Sequence, residues 1–231
     1  MTVRMGLIRK KLDWTHDAFD SYWRDYHGPL ARRVPGLREY WQNLVVDRLQ
    51  RGIRFARGPW DFDGFSQLSF DDTRQSGHAF NDSALAAEIM KDERHFLKDL
   101  HIVTAEMSVV IPVPAREERA RLLKRMSIIK RHPSMSEEDF RREWKAHGDL
   151  VRRMSGVSAY RQNVIVGREL IKGQSCTYEE FPIDGIVEMW FRDIPSLEAA
   201  FGSPQGEETM AHATSFLSEI TAFVVQERQV H

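Results

Sequence analysis

Two stretches of the chain are copies of one another, so the fold must be one that a single polypeptide can build twice. The first, FDSYWRDYHGPLARRVPGLREYWQN, runs from Phe19 to Asn43; the second, FRREWKAHGDLVRRMSGVSAYRQN, runs from Phe140 to Asn163. Phe19 and Trp23 match Phe140 and Trp144 at the same spacing, after which the first copy carries one extra residue. From His27 and His147 the register returns, with His-Gly, a pair of arginines, Gly36 or Gly156, Tyr40 or Tyr160, and Gln-Asn at 42–43 or 162–163.

Half of 231 residues is enough to bury a core, so the repeat predicts two domains, 1–114 and 115–231. The charged segment PVPAREERARLL, Pro112 to Leu123, joins them. Thirty-three basic residues face thirty-four acidic ones, which argues against nucleic acid or an anionic membrane as partner. The single cysteine, Cys176, can form no internal disulfide, and the N-terminus lacks the apolar run of a signal peptide, so a cytoplasmic location is expected. No stretch is apolar enough to span a membrane.

Each copy reads as strand, helix, strand, strand, helix, strand. The first strands are MGLIRK from Met5 and MSIIK from Met126. Thr15 and Ser136 start helix one, and Asp139 completes a capping-box pattern. Phe19, Tyr22, Trp23 and Tyr26 fall on one predicted buried stripe, as do Phe140, Trp144 and His147. Gly28 and Gly148 stand where the helix would be capped. In the next strand, alternation puts Tyr40, Gln42, Leu44 and Val46, or Tyr160, Gln162, Val164 and Val166, on one face. The third strands, GFSQLSF and GIVEMWF, hold Gln67 and Glu188 at the same position. Second helices are expected over 83–100 and 205–220, followed by last strands at IVTAEMSVVIP and AFVVQERQV.

Strand order and helix count predict an α+β fold of two ferredoxin-like βαββαβ repeats. Each four-stranded sheet would leave one face bare, and packing sheet to sheet would cover both as an intramolecular α+β barrel.

The candidate site residues come from what both copies keep. His27 and His147 either pack with a ring N–H on a last-turn carbonyl or act as acid-base groups. Tyr40 and Tyr160 either anchor to backbone or partner those histidines. An apolar pocket lined by Trp23, His27 and Tyr40, or by Trp144, His147 and Tyr160, with Gln42 and Gln162 beside it, suits a small apolar or aromatic ligand. Glu188 is either ion-paired or a carboxylate for acid-base work, with Gln67 its counterpart. The long loops before the third strands, 48–64 and 167–185, are either pocket covers that set selectivity or variable surface. Phosphate-loop, GxSxG and HExxH patterns are all lacking, and no cofactor or metal is indicated.

The shared pattern Phe, Trp, His-Gly-Pro or His-Gly-Asp, Gly, Tyr and Gln resembles the EthD-domain family, which belongs to the dimeric α+β barrels. The resemblance implies that one chain here contains both partners of what is usually a homodimer, with association of whole chains left open. The family includes accessory proteins of ether catabolism, methylmuconolactone isomerases, and enzymes of polyketide dehydration or cyclisation. In the isomerases a histidine and a tyrosine at these positions are implicated in the site, which carries over to His27 and Tyr40 and, by the repeat, to His147 and Tyr160. Their cysteine has no counterpart in either half, and Asp149 replaces the motif proline in the second. The resemblance implies either a cofactor-free isomerase, cyclase or lyase acting on a lactone or cyclic ketone, or a non-catalytic carrier of such a compound.

Overall fold

Backbone hydrogen bonding closes eight antiparallel strands into one barrel, in the order β1-β3-β2-β8-β5-β7-β6-β4. The strands are β1 (Thr2–Lys10), β2 (Leu37–Asp47), β3 (Gly64–Phe70), β4 (Leu97–Ile111), β5 (Leu123–Arg131), β6 (Ala159–Glu169), β7 (Gly185–Phe191) and β8 (Leu217–Gln229). This computed structural model describes residues 2–70 and 84–230. The fold is therefore mixed α and β, with helices packed outside a closed barrel. No helix among the described residues is long and apolar enough to cross a membrane.

The halves contribute β1–β4 and β5–β8, and they meet along two hydrogen-bonded seams, β2 with β8 and β4 with β6. Sheet-to-sheet packing as an intramolecular barrel was expected from the sequence; the barrel closes through hydrogen-bonded strand edges, which leaves none open. Val3, Met5, Phe65 and Val103 meet Met126, Ile128, Ile186 and Phe223 inside the barrel. Each strand thus has one face in the barrel and one under a helix, so Asn43 and Val45 are buried as well as Tyr40 and Gln42. The expected alternation fails at Val46 and Val166, which are exposed where the strands run past the helices.

Helix α1 runs from His16 to Ala31 as an α-helix (His16–Tyr22), a π turn (Trp23–His27) and a final turn (Gly28–Ala31). Its counterpart, α4 (Glu137–Arg152), is α-helical throughout. Thr15 and Ser136 accept from the amides of Ala18 and Asp139, as N-caps do. The π turn absorbs the one extra residue of the first copy, so His27 returns to the face that His147 occupies. Tyr26 lies inside that turn and is rotated outward, 68% exposed, contrary to the stripe reading.

Gly28 and Gly148 do not cap these helices, which continue past both. A Cβ on Gly28 would stand 3.1 Å from Gln42 Nε2, and one on Gly148 would stand 3.2 Å from a Val110 methyl. The glycines admit neighbours at close range.

The second helices are α2 (Ala84–Phe96) and α6 (Pro204–Phe216); the linker holds the short α3 (Arg116–Arg119), and α5 (Ile194–Phe201) precedes α6. Both second helices end earlier than expected, because Leu97 and Leu217 already pair with Lys10 and Arg131 in the barrel. Ser83, the expected start of the first, lies outside the described residues.

The two long loops do more than connect. Trp60, Phe62, Phe181 and Ile183 plug one end of the barrel. Each loop also crosses to the other half: Ile53 and Phe55 join the apolar cluster formed by the second half's helices and sheet, and Gln50 bonds the backbone of Ile220 and Ala222. In the reverse direction, Lys172 pairs with Glu93 of α2 at 2.5 Å. Cys176 packs partly buried against the barrel core.

Candidate functional site

A cavity lies between the helices and the outer face of the sheet in each half. The first, about 40 Å³, is lined by His27, Tyr40, Arg4, Ser66, Glu93 and Lys172 among apolar groups. The second, about 50 Å³, is lined by His147, Tyr160, Trp144, Arg125, Ser127 and Ile53 among apolar groups. Each takes a few water-sized volumes as it stands. Lys172 closes the first cavity from the second half, and Ile53 closes the second from the first.

His27 and Tyr40 thus share one cavity and His147 and Tyr160 share the other, but neither tyrosine bonds its histidine. Gln42 Nε2 donates to Tyr40 Oη at 3.1 Å and to the Trp23 carbonyl at 2.7 Å. Gln162 repeats this with Tyr160 at 3.1 Å and the Trp144 carbonyl at 2.6 Å. Arg228 donates to Gln42 Oε1 at 2.6 Å, so that amide is fully engaged in clamping helix to strand. Neither glutamine lines its cavity. Burial pushes both tyrosines up to about 12, so both hydroxyls stay protonated.

Trp23 lies off the first cavity while Trp144 lines the second, and each tryptophan covers a glycine. A Cβ on Gly64 would stand 2.6 Å from Trp23, and one on Gly185 would stand 2.4 Å from Trp144. Gln67 and Glu188 are on the opposite sheet face, inside the barrel, and they cannot reach either cavity. There Lys124 Nζ stands 2.6 Å from Glu188 Oε2, 2.7 Å from Glu227 Oε2, 3.0 Å from Gln67 Oε1 and 2.8 Å from Asn43 Oδ1. Glu188 is the ion-paired carboxylate of the two readings. Burial would raise its carboxyl, but Lys124 and Arg161 outweigh that and hold it below its usual range.

The residues that set the histidines' chemistry sit where the copies differ. His27 Nδ1 is 2.7 Å from Asp92 Oδ2, and Tyr22 Oη donates to Asp92 Oδ1 at 2.5 Å. In the second half His147 Nδ1 is 3.2 Å from His212 Nδ1, and His212 Nε2 is 3.6 Å from Glu143 Oε2. Asp92 and His212 both stand four residues before a shared phenylalanine, and Tyr22 and Glu143 both precede the motif tryptophan. That placement was the available signal for Asp92 and His212.

Burial raises the Asp92 carboxyl, but hydrogen bonds from His27 and Tyr22 outweigh it and hold it below its ordinary range. A carboxylate on Nδ1 fixes the Nδ1–H tautomer and leaves Nε2 as the basic nitrogen. His147 has no such partner. Burial, with the neighbouring His212, lowers it to about 3. Among the described residues no group of three or more His, Cys, Asp or Glu could hold a metal ion.

The sequence profile of the EthD domain matches residues 11–99 and 132–219. The chain belongs to the EthD family. The first EthD stretch contains Tyr22, His27, Tyr40 and Asp92, and the second contains Glu143, His147, Tyr160 and His212. Solved structures similar in fold include an anthrone oxidase-like protein (TM-score 0.67, 7% identity, 99% of this chain and 93% of the other covered). Others are candidate monooxygenases from Fusobacterium nucleatum (0.60, 8%, 99% and 93%) and Lactobacillus acidophilus (0.58, 7%, 100% and 94%). No curated protein matches by sequence.

The second EthD repeat makes a direct prediction. Because the folded state holds His147 neutral down to about 3 while the unfolded chain protonates it near 6.5, the unfolded state binds more protons between those values. Stability from this group is complete above the unfolded value and falls as pH drops below it, by up to about 1.4 kcal/mol per pH unit. Thermal unfolding compared at about pH 7 and about pH 5 should show a smaller drop in His147→Gln than in the parent. Equal drops would mean that His147 takes its proton in the folded state.

Proposed function

We propose that the first cavity isomerises, cyclises or cleaves a small lactone, cyclic ketone or similar apolar intermediate by proton transfer, without a cofactor. The observation that carries this reading is the Tyr22–Asp92–His27 chain at the edge of a cavity that also holds Tyr40. His27 Nε2 would take the proton, with Asp92 on Nδ1 orienting the ring. Tyr40 Oη accepts from Gln42, so its own proton is available to a developing enolate oxygen. With His147 held neutral and no carboxylate on its Nδ1, the second cavity would bind without proton transfer.

The strand order β4-β1-β3-β2, repeated as β8-β5-β7-β6, supports reading the halves as ferredoxin-like units, 1–114 and 115–231, each the other's partner. With that reading goes a proposed catabolic or biosynthetic role in the cytoplasm. The second reading is a carrier, favoured by the tyrosines bonding glutamine and not their histidines.

Proton NMR in D2O with the unsaturated lactone 2(5H)-furanone separates them. Deuterium uptake at the ring carbon adjacent to oxygen, faster than in buffer, is expected from the enzyme. Saturation transfer to the lactone without uptake supports the carrier. Neither signal, from this probe and from a panel of small cyclic ketones, overturns both.

A further inference from the structure

Arg125 is 2% exposed, on the sheet face that lines the second cavity. Among the described residues no carboxylate lies within ion-pairing distance of it. Its Nε donates to Ser127 Oγ at 3.2 Å and its Nη1 to the Arg51 carbonyl at 2.9 Å, both neutral acceptors, and the guanidinium sits 4.8 Å over the Phe201 ring. Among the described residues, Nη2 and one N–H of Nη1 have no acceptor.

A guanidinium cannot shed its charge near neutral pH, and a buried charge without a counter-ion is costly. The same position in the first half shows how the fold meets that cost elsewhere. Arg4 makes a two-bond pair with Glu169, its Nη1 and Nη2 at 2.6 and 2.8 Å from the two carboxylate oxygens. At this position the second cavity therefore lacks the carboxylate partner that Glu169 gives Arg4 in the first, and the neighbouring histidine pair supplies no negative charge.

We infer that the second cavity is a binding site for a small organic carboxylate, which completes the ion pair of Arg125. The planar fork of Nη1 and Nη2 matches a carboxylate's two oxygens. Tyr160, protonated, and the His147–His212 pair add donors. The remaining walls, Ile53, Ile129, Val187, Leu217 and Ile220, favour a short apolar tail over a hydrated inorganic anion. At about 50 Å³ the cavity has room for the carboxylate and its first carbon, with the tail of a short acid lying toward the open side.

The inference stands apart from the proton-transfer reading, since it concerns the other cavity and no chemistry. Calorimetric titration with butyrate, and with butyramide as the neutral isostere, tests it. Butyrate is expected to bind about 10- to 100-fold tighter than butyramide, and Arg125→Met to lose that margin, because a charged hydrogen-bond partner is worth that much. His27→Ala should leave butyrate affinity unchanged. Ser127→Asp gives a second route should Arg125→Met fold poorly: its carboxylate would pair with Arg125 internally, block butyrate and raise the unfolding midpoint. Equal affinity for the two probes, butyrate binding that survives both variants, or no butyrate binding to the parent protein would overturn the inference.

Discussion

Lys124→Met is expected to destabilise the protein by about 3–5 kcal/mol, the cost of leaving the buried Glu188 carboxylate without its ion-pair partner. Lys124 is 1% exposed and bridges Glu188 and Glu227 inside the barrel. Arg119 still pairs with Glu227 on two N–H groups, but Glu188 would keep only the amide of Asn163, at 2.9 Å, as a hydrogen-bond donor. That loss is a large part of the total stability of a typical domain, about 5–15 kcal/mol. The double variant Lys124→Met, Glu188→Met should recover much of it, since removing both charges also removes their desolvation. Urea unfolding reads both. If the single variant unfolds at the parent's midpoint, water or a counter-ion reaches the barrel interior and the cluster is not isolated there.

The second large effect belongs to the first cavity. His27→Ala should lower the rate of deuterium uptake by about 10²–10⁴-fold, the usual contribution of a positioned general base. Asp92→Asn should also slow uptake, because an amide on Nδ1 orients the ring less firmly than a carboxylate. His147→Ala should leave the rate near that of the parent. A result with the roles exchanged, His147→Ala slow and His27→Ala fast, would move the chemistry to the second cavity.

Much of the architecture could be read from the duplicated stretch. The order of strands and helices, the N-caps at Thr15 and Ser136, and the placement of His27 and Tyr40 under one helix follow from periodicity and turn chemistry. Tyr26 was misplaced because a period of 3.6 residues cannot register an insertion that the helix takes up as a π turn. Gly28 and Gly148 looked like caps because close approach and left-handed backbone call for the same residue, and only three dimensions separate the two causes. Which face Gln67 and Glu188 take stayed open because both faces of these strands are buried, which erases the alternation that tells in from out. Asp92 and His212 escaped for a different reason. A search for what two copies share passes over the positions where they differ, and here those positions decide which histidine has a carboxylate beside it.

The crossed loops have a consequence for how such a protein can change over generations. Ile53 roofs the second cavity although it is encoded in the first half, and Lys172 closes the first although it is encoded in the second. In an assembly of two identical chains, any substitution in such a loop would appear over both cavities at once. In one continuous chain it appears over a single cavity. The two sites can therefore change independently, and the Arg4–Glu169 pair against an Arg125 bonded only to neutral acceptors is one difference between them.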